Sequence, residues 1–164
     1  MKTAAIIAEY NPFHNGHKYQ IEETKRQTGA NFIVVVMSGD FVQRGIPAMY
    51  SKTFRTRSAL LSGADLVIEM PIFGTLSAAQ DFARCGVSLF HHMGMIDILS
   101  FGSESGNIEE LWQLADQAGA ETEEQSDLIR KSLRSGLTYP QALDLARKDS
   151  VAVWPSDILA VEYL

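Results

Sequence analysis

Four short apolar runs recur along the chain, each followed by residues with helical spacing. The first covers residues 3–8. The second, 31–37 (Asn-Phe-Ile-Val-Val-Val-Met), is rich in β-branched residues and ends at Ser38-Gly39-Asp40. The third is 66–70, closed by Pro71, and the fourth is 96–101, closed by Gly102. Continuous rather than alternating runs predict strands buried on both faces, as in a parallel sheet. Between the first two, a helix is predicted over about 16–27, with His17, Ile21, Thr24 and Thr28 on one face and Gly29 as its stop. Ser51 is placed to cap a second helix that carries Phe54, Ser58 and Leu61 on one face and ends at Gly63. One or two further helices fit residues 75–93. Beyond Gly106 only helical patterns remain, at about 108–118, 123–135, 139–148 and from 157 onward. Strand–helix alternation predicts an α/β protein with a doubly wound parallel sheet over 1–105, followed by a helical extension over 106–164. The last pattern, 158–164, stops without a Gly, Asn or polar tail, which predicts a chain cut from a longer one.

Composition narrows the function classes. Of the 164 residues, 46% are hydrophobic and 21% charged, the balance of a soluble globular protein. A net charge of −6 and a pI near 5.1 argue against a protein that coats DNA, while leaving room for a local basic patch. The single cysteine, Cys85, forms no internal disulfide and points to a reducing, cytoplasmic setting. The longest apolar run is too short to cross a bilayer, so no membrane role is expected, and the start of the chain lacks the pattern of a secretory signal.

The candidate chemistry begins where the first strand hands over to the first helix, at "EYNPFHNGHKYQ". Gly16 stands at a helix start, where free N–H groups and the helix dipole favour an anion, and its lack of a Cβ allows close approach. His14 and His17 are both placed to donate to phosphate oxygens and, once protonated, to offset charge on departing pyrophosphate. Pro12 stiffens the entry to the turn. The same residues also fit a plain helix-capping turn with two surface histidines. No third ligand of suitable spacing suggests a metal site. Residues 40–57 carry Arg44, Lys52, Arg55 and Arg57 against Asp40 alone, a local charge of +3 (four minus one). Arg44, Lys52 and Arg55 are candidates for phosphate or RNA-backbone contact, or simply for a solvated helix face. Glu69, at the end of the third strand, is placed either to face the site or to serve structure. No covalent nucleophile with a partnered base is found, which suits a reaction whose nucleophile belongs to the substrate.

"HNGH" after a first strand resembles the HxGH signature of the nucleotidyltransferase superfamily, relatives of class I aminoacyl-tRNA synthetases. With "VMSGDFVQRGIPA", "SKTFRTRSAL", "GADLVIEMP" and "FGSESG" following in that order, the chain is similar to the bacterial tRNA(Met) cytidine acetate ligase family. The resemblance implies a Rossmann-like α/β domain of the HxGH type and a ligase that uses ATP, with Mg²⁺, to adenylate acetate. The acetyl group would then pass to N4 of the wobble cytidine of elongator tRNA(Met). It implies His14 and His17 as catalytic residues. Nucleotide contacts are implied for Ile7, Ala8, Glu9, Tyr10, Asn11, Pro12, Phe13, Asn15, Gly16, Gln20 and Gly102. Where the family has Pro-Asn-Asn-Ile-Leu, this chain has Pro155-Ser156-Asp157-Ile158-Leu159, so Ser156 and Asp157 fall at a further nucleotide contact. Two other readings remain open: a nucleotidylyltransferase acting on a phosphorylated small molecule, and a nucleotide-binding, RNA-interacting module without catalysis.

Overall fold

The computed structural model describes residues 1–43, 45–119, 123–137, 139–146 and 155–164. Strands β1 (Thr3–Ala8), β2 (Phe32–Met37), β3 (Leu66–Glu69) and β4 (Ile98–Leu99) form one parallel sheet in the order β3-β2-β1-β4. The register runs from Thr3↔Phe32 to Ala8↔Met37 between β1 and β2, and from Val34↔Leu66 to Met37↔Glu69 between β2 and β3. Side chains alternate across the sheet. Ala4, Ile6, Ile33, Val35 and Met37 join Ile21 of helix α1 (Asn15–Thr28) and Ala59 of helix α2 (Lys52–Leu61) in one buried cluster. On the opposite face Ile7 lies against Gly86 of helix α4 (Ala79–Met93), which follows a short helix α3 (Ile72–Thr75). Helices on both faces explain why the strands read as unbroken apolar runs.

Local signals set the element ends. Gly29 closes α1 in the left-handed conformation at φ 67°, donating to Lys25 O. Ser51 caps α2, its hydroxyl accepting from Phe54 N at 3.3 Å. The fourth strand is far shorter than the apolar run predicts. Only Ile98 and Leu99 pair, opposite Ala4 and Ala5. At one end the Asp97 carboxylate takes the Thr3 N–H at 2.8 Å, a ladder bond made by a side chain. At the other, Ser100 N donates to Ala5 O at 2.8 Å and the chain peels away, its hydroxyl bonding Thr24 of α1 at 2.6 Å.

Contacts divide the chain into two units, Met1–Gly102 with Tyr163, and Ser103–Glu162 with Leu164. The second is helical: α5 (Ile108–Gly119), α6 (Glu123–Arg134), α7 (Tyr139–Ala146) and α8 (Pro155–Tyr163), with α6 packed against α7. No helix among the described residues is long and apolar enough to cross a membrane.

Candidate functional site

The carboxyl ends of β1 and β4 sit side by side at the point where strand order reverses, the customary ligand crevice of open α/β sheets. The turn after β1 leads directly into α1, and two histidines organise its first turn. His14, in extended conformation, is the N-cap: its Nδ1 accepts from Gly16 N at 3.1 Å, and His17 Nδ1 accepts from His14 N at 3.3 Å. This is a capping box with imidazoles in place of the usual hydroxyl and carboxylate. The rings stack with centroids 3.7 Å apart.

Acceptance at Nδ1 places the proton of each neutral ring on Nε2. Neither Nε2 has a protein partner among the described residues, and His14 is exposed while His17 is half-buried. Capping, one of the two readings of the sequence, uses Nδ1 of both rings and leaves Nε2 of the same rings open. One expectation changes. Burial, and then the neighbouring His14, lowers the His17 pKa to about 4, so in the ligand-free protein His17 is a neutral donor near pH 7, not an imidazolium. Gly16 also has a local reason beyond ligand approach, because a Cβ there would stand 3.0 Å from His14 Cε1.

Beneath the histidines lies an aromatic floor. Tyr10 packs edge-on against Phe13 and His17, with centroids 4.8 Å from each. Tyr10 is 1% exposed, its hydroxyl has no partner, and burial pushes its pKa well up. Ile7, Ala8, Glu9, Asn11, Pro12 and Phe13 are all half-buried around this turn, and Asn15 is exposed. The half-buried Gln20, one turn along α1, accepts from the Thr24 hydroxyl through its backbone carbonyl at 2.7 Å. Gly102 is exposed, with nothing within 4 Å of where a Cβ would be, which leaves room for a flat group against the backbone.

Several side chains turn elsewhere than expected. The Glu9 carboxylate accepts from Gln43 N at 2.6 Å and the Asn11 amide oxygen from Met49 N at 2.7 Å, so both hold the loop after β2. Arg55 is not available to RNA or substrate phosphate. It is fully buried, and its guanidinium donates to the carbonyls of Glu9, Ser38, Gly39 and Tyr50. Lys52 is partly exposed but engaged with Glu69 at 2.9 Å and Asp40 at 3.4 Å, which removes much of the basic character read from the sequence. Gly39 makes room for that pair, since a Cβ there would stand 2.3 Å from Glu69 Oε1. Arg44 lies outside the described residues.

Within the helical unit, Asp157 in the first turn of α8 also departs from expectation. It is 3% exposed, and its carboxylate accepts from Ser103 Oγ at 2.6 Å, Glu104 N at 3.0 Å and Ser105 N at 3.2 Å. The Ser103 hydroxyl, foremost among these donors, holds its pKa below the usual carboxylate value. Its charge is thus spent on a loop of its own unit. Ser156 belongs to α8, but its side chain lies outside the described set. The backbone of Tyr10, at φ 50°, a conformation unexpected for an aromatic residue, also has no sequence signal.

A parallel sheet of this order, with an HxGH helix start at its reversal point, defines a nucleotide-binding α/β protein of the HxGH class. The chain belongs to the HIGH Nucleotidyl Transferase family, whose model matches residues 1–164. It is 42% identical over 173 residues to the tRNA(Met) cytidine acetate ligase of Acetivibrio thermocellus, covering 100% of this chain and 42% of that protein. It is 41% identical over 165 residues to the protein of the same name from Staphylococcus aureus, again covering all of this chain and 42% of the relative. A crystal structure of Thermotoga maritima TmcAL bound with alpha-thio ATP superposes with a TM-score of 0.86 at 34% identity, covering 99% of this chain and 42% of that one. The chain thus spans about two fifths of the length of these relatives.

Proposed function

We propose that this chain is the ATP-binding part of a cytoplasmic tRNA(Met) cytidine acetate ligase. ATP enters at the HNGH turn. An acetate oxygen attacks the α-phosphorus, the bond to the bridging oxygen breaks, and pyrophosphate leaves. The cytidine N4 then attacks the acetyl carbonyl, AMP departs, and the amino group loses a proton. His14 and His17 serve as Nε2–H donors to the phosphates, and donors fixed in advance stabilise developing charge without reorganising. Gly16 and the start of α1 receive the triphosphate, and the adenosine lies against Gly102. Mg²⁺ would arrive with the ATP phosphates and neutralise part of their charge; no group of three or more His, Cys, Asp or Glu side chains gathers among the described residues.

The observation that carries this reading is the paired histidine cap: both imidazoles hold the backbone through Nδ1, which leaves both Nε2–H groups for a ligand. Similarity along the whole of this chain to 42% of the length of each acetate ligase supports the choice of acid and tRNA. The test is exchange of labelled pyrophosphate into ATP, with the chain alone and with the chain fused to the remaining sequence of the Acetivibrio relative. Acetate-dependent exchange is expected from the fusion. Exchange driven by another acid or by a phosphorylated compound would replace the acetate assignment, and ATP binding without any exchange would leave a non-catalytic module.

A further inference from the structure

The role of Arg55 begins with the strain at Tyr10, which packs against His17. Tyr10 is a bulky residue at φ 50°, a conformation that persists only where its surroundings impose it. Both neighbours are pinned. Glu9 is held through its carbonyl, which accepts from Arg55 Nη1 at 2.5 Å, and through its carboxylate, which accepts from Gln43 N at 2.6 Å. Asn11 is held through Met49 N at 2.7 Å. The Arg55 guanidinium reaches Ser38 O at 3.1 Å through the same Nη1, Gly39 O through Nη2, and Tyr50 O through Nε at 3.0 Å. One planar fork therefore ties the carboxyl ends of β1 and β2 to the chain entering α2. A lysine, with a single ammonium on a flexible stem, does not span that set. No ion pair of Arg55 with a carboxylate within 4 Å occurs among the described residues; carbonyls accept its hydrogen bonds, and the Asp40, Glu9 and Glu69 carboxylates favour its charge from further away.

From this geometry we propose that Arg55 is a positioning residue for the nucleotide site: by holding the Glu9 carbonyl it keeps Tyr10 in its left-handed conformation, and the Tyr10 ring in turn sets the His17 imidazole. The nucleotide part of this inference rests on the ligase reading; the positioning part does not. The ring contacts give the link a direction, since Tyr10 touches both Phe13 and His17 and is itself almost wholly enclosed.

Two variants test it, Arg55→Lys and Tyr10→Leu, read by NMR titration of the His17 ring, assigned with His17→Gln, and by ATP affinity. In the unaltered chain His17 should titrate near pH 4. In both variants the midpoint should rise by about one unit or more towards the ordinary histidine value, and Arg55→Lys should weaken ATP binding about tenfold or more. A folded Arg55→Lys with unmoved His17 titration and unaltered ATP affinity overturns the proposal. Should Arg55→Lys fail to fold, an unmoved His17 midpoint in Tyr10→Leu overturns it instead. If the unaltered chain binds no ATP, the ligase reading falls, while the His17 midpoints still decide whether Arg55 acts through Tyr10.

Discussion

Replacing His14 by asparagine separates its two tasks. His14 Nδ1 accepts one bond, from Gly16 N at 3.1 Å, and its Nε2–H remains for a ligand. Removing an N-cap by alanine costs about 1 kcal/mol, which in a protein of this size lowers Tm by roughly 2–4 °C. Asparagine is among the best N-caps, so His14→Asn should melt within about a degree of the unaltered protein, while His14→Ala shows the full loss. Neither variant donates to phosphate as the imidazole does. A hydrogen bond to a charged partner is worth about 1.5–3 kcal/mol, so both variants should bind ATP about 10- to 150-fold more weakly. Differential scanning fluorimetry and calorimetric titration with ATP give the two readouts. If His14→Asn restored ATP affinity along with Tm, the imidazole would be a cap and nothing more.

The His17 pKa of about 4 lies below its unfolded value near 6.5, so between those values the unfolded chain binds the extra proton and stability falls as pH drops. Urea midpoints of His17→Gln should lose that slope; curves parallel to the unaltered protein between pH 6.5 and 4 would refute it. Asp157→Ala strips the partner from two backbone N–H groups and a hydroxyl, costing about 1–3 kcal/mol, and should speed hydrogen exchange at the amides of Glu104 and Ser105. Because the Asp157 pKa is lowered, its stabilisation is fully present above the ordinary carboxylate value and is lost as pH falls from there through the lowered value of the folded protein; protection at those amides that persists in the variant would sink the assignment. Gly86→Val should destabilise by about 1–3 kcal/mol, since a Cβ there stands 2.5 Å from Ile7 Cδ1 in the core. A thermal melt lower by roughly 2–12 °C is expected, and an unchanged Tm would contradict the packing described.

The strands, the helix starts near Gly16 and at Ser51, the stop at Gly29 and the HNGH turn at the end of β1 were all legible in the chain itself. Each depends on residues within a few positions of one another, where periodicity, caps and positive-φ glycines act directly. The length of β4 was not, because the Asp97 carboxylate substitutes for a ladder bond only once β1 lies beside it. Nor was the direction taken by the charged side chains. Arg55 reads as a surface cation among Lys52 and Arg57, yet it meets a carbonyl 46 residues away, at Glu9. The carboxyl ends of parallel strands leave carbonyls that must be satisfied, and only assembly of the sheet creates the place where a guanidinium satisfies several at once. The same holds for Asp157, drawn to backbone N–H groups 52 and 53 residues away at Ser105 and Glu104, and for Tyr10, whose backbone follows from neighbours pinned by remote loops. Sequence thus marked the turn at which the candidate site is placed, and tertiary structure decided which of the nearby charged groups stay open to solvent and which are committed to the protein's own backbone.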